Sequence, residues 1–296
     1  MRNYWLERYN VLTIGEEPEP LNLNDGEIFF HDEAGIGCEV EVNGAPSNGQ
    51  YIITGKSKAT KSPSGTIEFL NEEVRKKFLD YCLNTNEILR LCRAKTYVPG
   101  HPEVLKLDVV LVSCERAETK ANGRLECPVT FQALGEWYKS RNINMQEYTG
   151  PQEDLDLATF PEQNLILISD HKETEASLEI GYAGEEGGMG VYYDTPQIGL
   201  VTYDARGDEI ERIKKCSPIS MSANKTLEIN SNINYLGVHA VSWGQGDAWD
   251  KDNVYQQTGN HEATPFIKTN PKYKTYLFLR GGPYSVKVRC KDFENF

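Results

Sequence analysis

Apolar residues recur at every second position along most of this chain, and that period commits it to strands. Ile36, Cys38, Val40 and Val42 alternate with Gly37, Glu39 and Glu41. Leu105, Leu107, Val109 and Leu111 alternate with Lys106, Asp108 and Val110. Leu125, Cys127, Val129, Phe131 and Ala133 alternate with Glu126, Pro128, Thr130 and Gln132. Each run puts one apolar row on one face of a strand, and that face must be buried. Between the last two runs lies Ala121-Asn122-Gly123, and Asn-Gly supplies the positive φ angles of a tight turn. Residues 104–137 therefore read as one long hairpin. Pro128 cannot donate a ladder hydrogen bond, which predicts an edge or a bulge.

One segment has the other period. Asn71 is a good N-cap, and Glu72 and Glu73 suit the positive end of a helix. Val74, Phe78 and Cys82 follow at every fourth residue, with Tyr81 beside them, and form one stripe. The spacing predicts a helix over 72–83. Strands do not alternate with helices along the chain, which argues against Rossmann and barrel α/β folds.

The polar stretch from Asn142 to Pro161, with Gly150-Pro151 inside it, shows no period and reads as a linker. Short apolar runs beyond it, among them Leu165 to Ser169, Ser177 to Tyr182, Ile198 to Tyr203, Tyr235 to Val241 and Tyr284 to Cys290, have the spacing of a β-sandwich. The expected fold is mainly β, with two sandwich domains. The first spans residues 1–147, with one α-helix and the long hairpin. The second spans 148–283, and residues 284–296 are expected to return onto the first.

Composition narrows the function. Lys and Arg total 31 against 44 Asp and Glu, a net charge of -13, the wrong balance for a protein that coats nucleic acid. Apolar runs of about four residues fall far short of the roughly 20 that span a membrane. Met1-Arg2-Asn3-Tyr4-Trp5-Leu6-Glu7 carries charge where a signal peptide needs apolar residues, so synthesis in the cytoplasm without a signal peptide is expected. The seven cysteines have no CxxC spacing and the five histidines match no zinc motif. Gly55-Lys56-Ser57 ends like a phosphate loop, but Gln50 stands where its first glycine belongs. Gly184 to Gly190 lacks a lysine and reads as a hairpin tip. Asp247, Asp250, Asp252 and Asn253 form an oxygen-rich loop, but Trp249 and Lys251 interrupt a calcium-loop pattern. No nucleophile, metal or cofactor constellation emerges, and the expectation is a protein that is not an enzyme. Trp243, Trp249 and Tyr255 around Asp247 make a candidate glycan site, since sugar faces stack on rings and hydroxyls bind carboxylates; packing roles for the tryptophans compete with it.

Leu107-Asp108-Val109-Val110-Leu111-Val112-Ser113-Cys114-Glu115-Arg116-Ala117-Glu118, followed by Gly123-Arg124-Leu125-Glu126-Cys127-Pro128-Val129-Thr130-Phe131-Gln132-Ala133-Leu134-Gly135-Glu136-Trp137-Tyr138, resembles the hairpin of siphophage distal tail proteins. The helix at 72–83 ahead of a strand at Ile88 to Thr96, and the opening Tyr4-Trp5-Leu6 with Gly35-Ile36-Gly37, are similar too. The resemblance implies a phage or prophage tail-tip component: a ring, six subunits in the family, that joins the tail tube protein to tip and receptor-binding proteins. DNA would pass its lumen without specific binding, and a host cell-wall glycan would be a candidate partner of a galectin-like or carbohydrate-module-like second domain. Ring closure requires head-to-tail contacts. The hairpin and helix, with Val74, Phe78, Asn122, Gly123 and Phe131, are expected in or beside that contact. The alternative reading is a carbohydrate-binding or carbohydrate-active protein with two β domains.

Overall fold

The computed structural model describes residues 3–9, 20–36, 38–47, 50–83, 88–95, 103–115, 119–150, 165–183, 192–231, 236–242, 250–258 and 265–294. The chain forms two compact units, Met1–Lys139 with Glu294–Phe296, and Ser140–Phe293. No helix among the described residues is long and apolar enough to cross a membrane.

The first unit contains β1 (Asn3–Tyr9), β2 (Pro20–Asn22), β3 (Ile28–Ala34), β4 (Cys38–Ser47), β5 (Gln50–Thr60), β6 (Ser64–Phe69), α1 (Glu72–Cys82), β7 (Ile88–Lys95), β8 (Glu103–Cys114) and β9 (Leu125–Ala133). Antiparallel neighbours run in the order β2-β1-β7-β8-β9-β6-β3. Just past β2, the Leu23 amide donates to Tyr4 O at 3.0 Å, and the Phe30 amide donates to Leu23 O at 2.8 Å. The chain there bonds to β1 on one side and β3 on the other, so the sheet returns on itself. The enclosed core includes Tyr4, Phe69, Leu107, Cys127, Val129 and Phe131.

The long hairpin is β8 and β9, and both its outer edges are taken. Beside β8 lies β7, paired from Leu89↔Val109 to Lys95↔Glu103. Beside β9 lies β6, paired from Ser64↔Thr130 to Phe69↔Leu125. Pro128 is thus not on an edge. It lies opposite Thr66, close to where the β8–β9 register shifts between Leu111 and Ser113. Val112 is the extra residue of that bulge, where a missing ladder donor is tolerated.

The helix forms as its sequence predicts. Asn71 Oδ1 accepts from the Val74 amide at 3.0 Å, and Val74, Phe78 and Cys82 turn inward. Phe78 meets Phe69 with ring centroids 5.2 Å apart. Replacing Asn71 with Ala orphans that amide and should cost about 1 kcal/mol. In urea titration the midpoint should fall for Asn71→Ala and stay near wild type for Asn71→Asp.

Among the described residues, strands β4 and β5 pair only with each other, as a separate two-stranded sheet, from Cys38↔Thr60 to Ser47↔Gln50. Gly55-Lys56-Ser57 lies within β5, so its backbone is extended rather than curled into a phosphate cradle. The hairpin's stem is narrow. Gly35 has φ +69, and a Cβ there would stand 2.2 Å from Ser62 O, so only glycine fits.

Strand β10 (Tyr138–Tyr148) opens in the first unit, where Tyr138 pairs with Lys106, and continues in the second. Residues 142–148, expected to be linker, are therefore strand; the remainder of that stretch, from Pro151, lies outside the described residues. Ile143 and Met145 pack on the second core while Asn142 and Asn144 face out. The inner row begins with Arg141, which bonds Asp292, so hydropathy alone hides the alternation.

The rest of the second unit is β11 (Ile166–Asp170), β12 (Thr174–Tyr182), β13 (Tyr192–Asp194), β14 (Gln197–Tyr203), β15 (Glu209–Cys216), β16 (Ser220–Ser222), β17 (Lys225–Asn230), β18 (Gly237–Ser242), β19 (Asp250–Asn253), β20 (Ile267–Lys268), β21 (Lys274–Arg280) and β22 (Tyr284–Phe293). One layer runs β19-β18-β17-β12-β22-β10 and the other β11-β21-β14-β15. Leu178, Ile180 and Val286 of the first layer share one buried cluster with Leu200, Leu277 and Leu279 of the second, the packing of a sandwich. Strand β22 pairs with β12 from Thr174↔Asp292 to Tyr182↔Tyr284. Residues 284–293 thus belong to the second unit instead of returning onto the first. Only from Glu294, whose amide donates to Trp137 O at 3.0 Å, does the chain rejoin the first unit.

Candidate interaction surfaces

Period two sorts the first unit's residues into inner and outer rows, and the outer rows are what another molecule could touch. Val74, Phe78 and Phe131 are inner. They lie buried in the unit's own core, and a side chain covered by its own fold has no open surface to present. Asn122 and Gly123 are exposed at the β8–β9 tip. There the Gly123 amide donates to Lys120 O at 2.9 Å, the Lys120 amide donates to Arg124 O at 2.8 Å, and the Arg124 amide donates to Asn122 Oδ1 at 3.0 Å. Gly123 has φ +80 with open space around it, whereas Asn122, expected to share that conformation, has no positive φ.

The tip is braced rather than free. The Arg124 guanidinium donates to Gly26 O at 2.8 Å. The Lys120 amine bonds Glu68 and, at 3.1 Å, Glu126. Its bond holds the Glu68 carboxyl below the usual carboxylate range. Beyond Asp108 the outer row of β8 turns apolar where a solvated row would be polar. Val110 is 49% exposed and Val112 62%, the latter turned out by the bulge. On the β4–β5 hairpin, Val42 and Ile53 are exposed as well.

A second outer face, across β1, β7 and β8, is polar and nearly closed. Arg90 and Asp108 are buried. Arg90 reaches Glu7 at 3.3 Å and Asp108 at 3.5 Å; Lys106 reaches Glu7 at 3.0 Å. The Trp5 indole donates to Glu7 at 3.0 Å and the Tyr138 hydroxyl to Asp108 at 2.7 Å. Burial opposes ionisation of Glu7, but the bonds from Trp5 and Lys106, with the charges of Lys106 and Arg90, outweigh it and hold its carboxyl low. Each of these charges has a partner, and such a network rigidifies the face it lies on.

In the second unit, Trp243, Asp247 and Trp249 lie outside the described residues. Tyr255 is exposed in a short 3-10 turn, Tyr255–Thr258, and stacks on Phe266 with centroids 6.0 Å apart. Asp250, Asp252 and Asn253, expected in a loop, form β19 along β18, and Asp252 ion-pairs with Lys225 at 2.6 Å. Asp252 and Asn253, adjacent on the strand, point to opposite faces of the ladder rather than converging as ligands in a loop would. Among the described residues no three His, Cys, Asp or Glu side chains gather as a metal site would need. The six described cysteines are free thiols. Burial pushes Cys82, Cys92, Cys216 and Cys290 up, and Cys114 up to about 11, so thiolate is scarce at neutral pH.

Residues 8–134 match the sequence family described as distal tail protein, N-terminal domain. The first unit is a distal tail protein domain. The likeness in fold extends further. A chain of the phage p2 baseplate in its activated conformation with strontium superposes with a TM-score of 0.63 at 15% identity, over 98% of this chain and 98% of that one. The calcium form of the p2 baseplate gives 0.64 at 15% identity, again over 98% of each chain. The Dit protein of phage SPP1, a paradigm of hub adsorption apparatus in phages that infect Gram-positive bacteria, gives 0.53 at 9% identity, over 98% of this chain and 99% of that one. No curated protein matches. At such identities the superpositions speak for the fold, and they span both distal-tail unit and second sandwich. Residues 8–134 carry the pattern of that family, and the chain as a whole has the fold of these baseplate and hub proteins.

Proposed function

We propose that this protein is the ring-shaped hub at the distal end of the tail, with six copies around the axis, built into the virion between the tail tube protein and the tip and receptor-binding proteins. The first unit makes the ring and the second is an accessory domain. The role is geometric rather than catalytic. The resemblance of the hairpin sequence to distal tail proteins supports the reading, as does the likeness to hub and baseplate proteins.

The observation that carries the ring is the β4–β5 hairpin. Its arms are 10 and 11 residues long, with no third strand on either edge among the described residues. At roughly 3.3 Å per residue it reaches about 30 Å. A two-stranded hairpin is marginal in water by itself, and open strand edges are sites of pairing with another chain. A neighbouring copy that receives this arm supplies the missing strand or cover. One arm given and one received per subunit is a head-to-tail contact, which closes into a ring. The exposed Val110 and Val112, and the tip at Asn122 and Gly123, belong to the same contact in this reading. A net charge of -13 disfavours adhesion of DNA passing the lumen. In the accessory domain, Trp243, Trp249, Tyr255 and Asp247 would take host cell-wall glycan.

Negative-stain images of the concentrated protein, and of the protein mixed with its tail tube partner, should show rings with six-fold averages. Monomers in both samples would overturn the ring. Glycan-array binding by the full chain would support the accessory role.

A further inference from the structure

The second unit holds a cavity of about 140 Å³ at one end of its sandwich. Its floor is the inner face of the β11-β21-β14-β15 layer. Two cross-strand rows form it: Thr275, Thr202 and Glu211, then Leu200 and Ile213. Lys215 follows Glu211 and Ile213 on the same face. It is the unpaired residue of a bulge, since Ile198 pairs with Cys216 and Gly199 with Lys214, and bulges re-aim side chains in this way. Lys268, Thr269, Asn270 and Tyr273 close the other side.

Most polar groups there are already engaged. Thr269 Oγ1 donates to Lys172 O and accepts from the Thr174 amide, both at 2.9 Å. Lys268 pairs with Glu173 at 2.8 Å. Thr202 Oγ1 donates to Glu211 O at 3.3 Å. Two groups stand out. Thr275 is 1% exposed, and its hydroxyl has no hydrogen-bond partner among the described residues, a state that native interiors rarely leave unresolved. Lys215 is half-buried and makes no ion pair among the described residues. Burial lowers its amine below the ordinary range, while the charge of Glu211 opposes that shift without coming within ion-pair reach.

The geometry points to a binding site for a small carboxylate, whose oxygens accept from the Lys215 amine and the Thr275 hydroxyl while its carbon chain lies on Leu200 and Ile213. This stands apart from the ring reading and is tested without it. An apolar cavity of about 150 Å³ accommodates a six-carbon ring, so the ligand has roughly six heavy atoms, or is one carboxyl-bearing end of a larger sugar acid. Both carry the same anchoring group. A neutral ligand would leave Lys215 uncompensated, and a cation would meet it directly.

The test is calorimetric titration of the full chain with lactate, with lactamide as its uncharged counterpart, and with methyl glucuronide as the carboxyl of a saccharide. Lactate, methyl glucuronide or both should bind at one site with Kd of about 1 mM or tighter. Lactate alone identifies a free small acid as the source, and methyl glucuronide alone a glycan carboxyl. Lys215→Met should weaken binding about tenfold or more and Thr275→Val about threefold or more, with melting temperatures at or above wild type, because each removes an uncompensated polar group. Saturable binding of neither carboxylate, equal affinity for lactamide where lactate is the ligand, or unchanged affinity in both variants would overturn the proposal.

Discussion

Val129→Asp should unfold the first unit. Val129 is 1% exposed, on β9 between Gly65 of β6 and Cys114 of β8. An ionised carboxylate there loses its hydration without a designed partner. A protonated one still buries polar atoms in a cluster of leucine, valine and phenylalanine. The expected loss is about 4 kcal/mol or more, a large part of the 5–15 kcal/mol typical of a whole domain. In a thermal melt followed by circular dichroism, that is a fall of about 10 °C or more, or no cooperative transition at all. Val110→Asp is the matched control, on the same hairpin and 49% exposed; it should melt with wild type. Equal melting of the two variants would show that the inner and outer rows had been misplaced.

Excising the β4–β5 hairpin should abolish ring formation and leave the first unit folded. The stem makes the deletion clean, because Gly35 lies against Ser62 and a two-residue Asn-Gly turn can replace residues 38–60. Among the described residues the excised strands pair with no other strand of the unit, so the closed sheet keeps its ladders and the melting midpoint should be unchanged. Under conditions where the full chain forms rings, light scattering should report the mass of a single subunit. Rings that persist at full yield would move the contact elsewhere, with Val110 and Val112 as the next surface to change.

What the sequence revealed and what it hid have one physical cause. Periodicity records burial. Asn71 and the fourfold spacing of Val74, Phe78 and Cys82 announced the helix because its stripe faces the core. The same burial is why periodicity marks inner residues rather than those on the surface. Val74, Phe78 and Phe131 were recognisable because they are covered by their own fold, whereas Val110 and Val112 are conspicuous as apolar residues on the row that should be polar. The β5 arm has no apolar alternation over Gly55-Lys56-Ser57-Lys58, so its sequence does not announce a strand. Strand β10 was hidden by Arg141, a charged residue that occupies an inner position because Asp292 and the carbonyls of Leu167 and Ile168 receive it. The Lys215 cavity depends on a bulge, and no hydropathy pattern shows where one strand gains a residue on its partner.

The Leu23 link between β1 and β3 bears on how the first unit would respond to being pulled. In an open sheet, traction on the last strand peels it away one ladder bond after another. Here β1 is bonded to β7 on one side and to β2 and Leu23 on the other, and β3 to β6 and Leu23. With no terminal strand in this ring of described strands, traction must rupture bonds on two flanks at once. A tail that transmits force during attachment would load this unit in shear rather than unzip it.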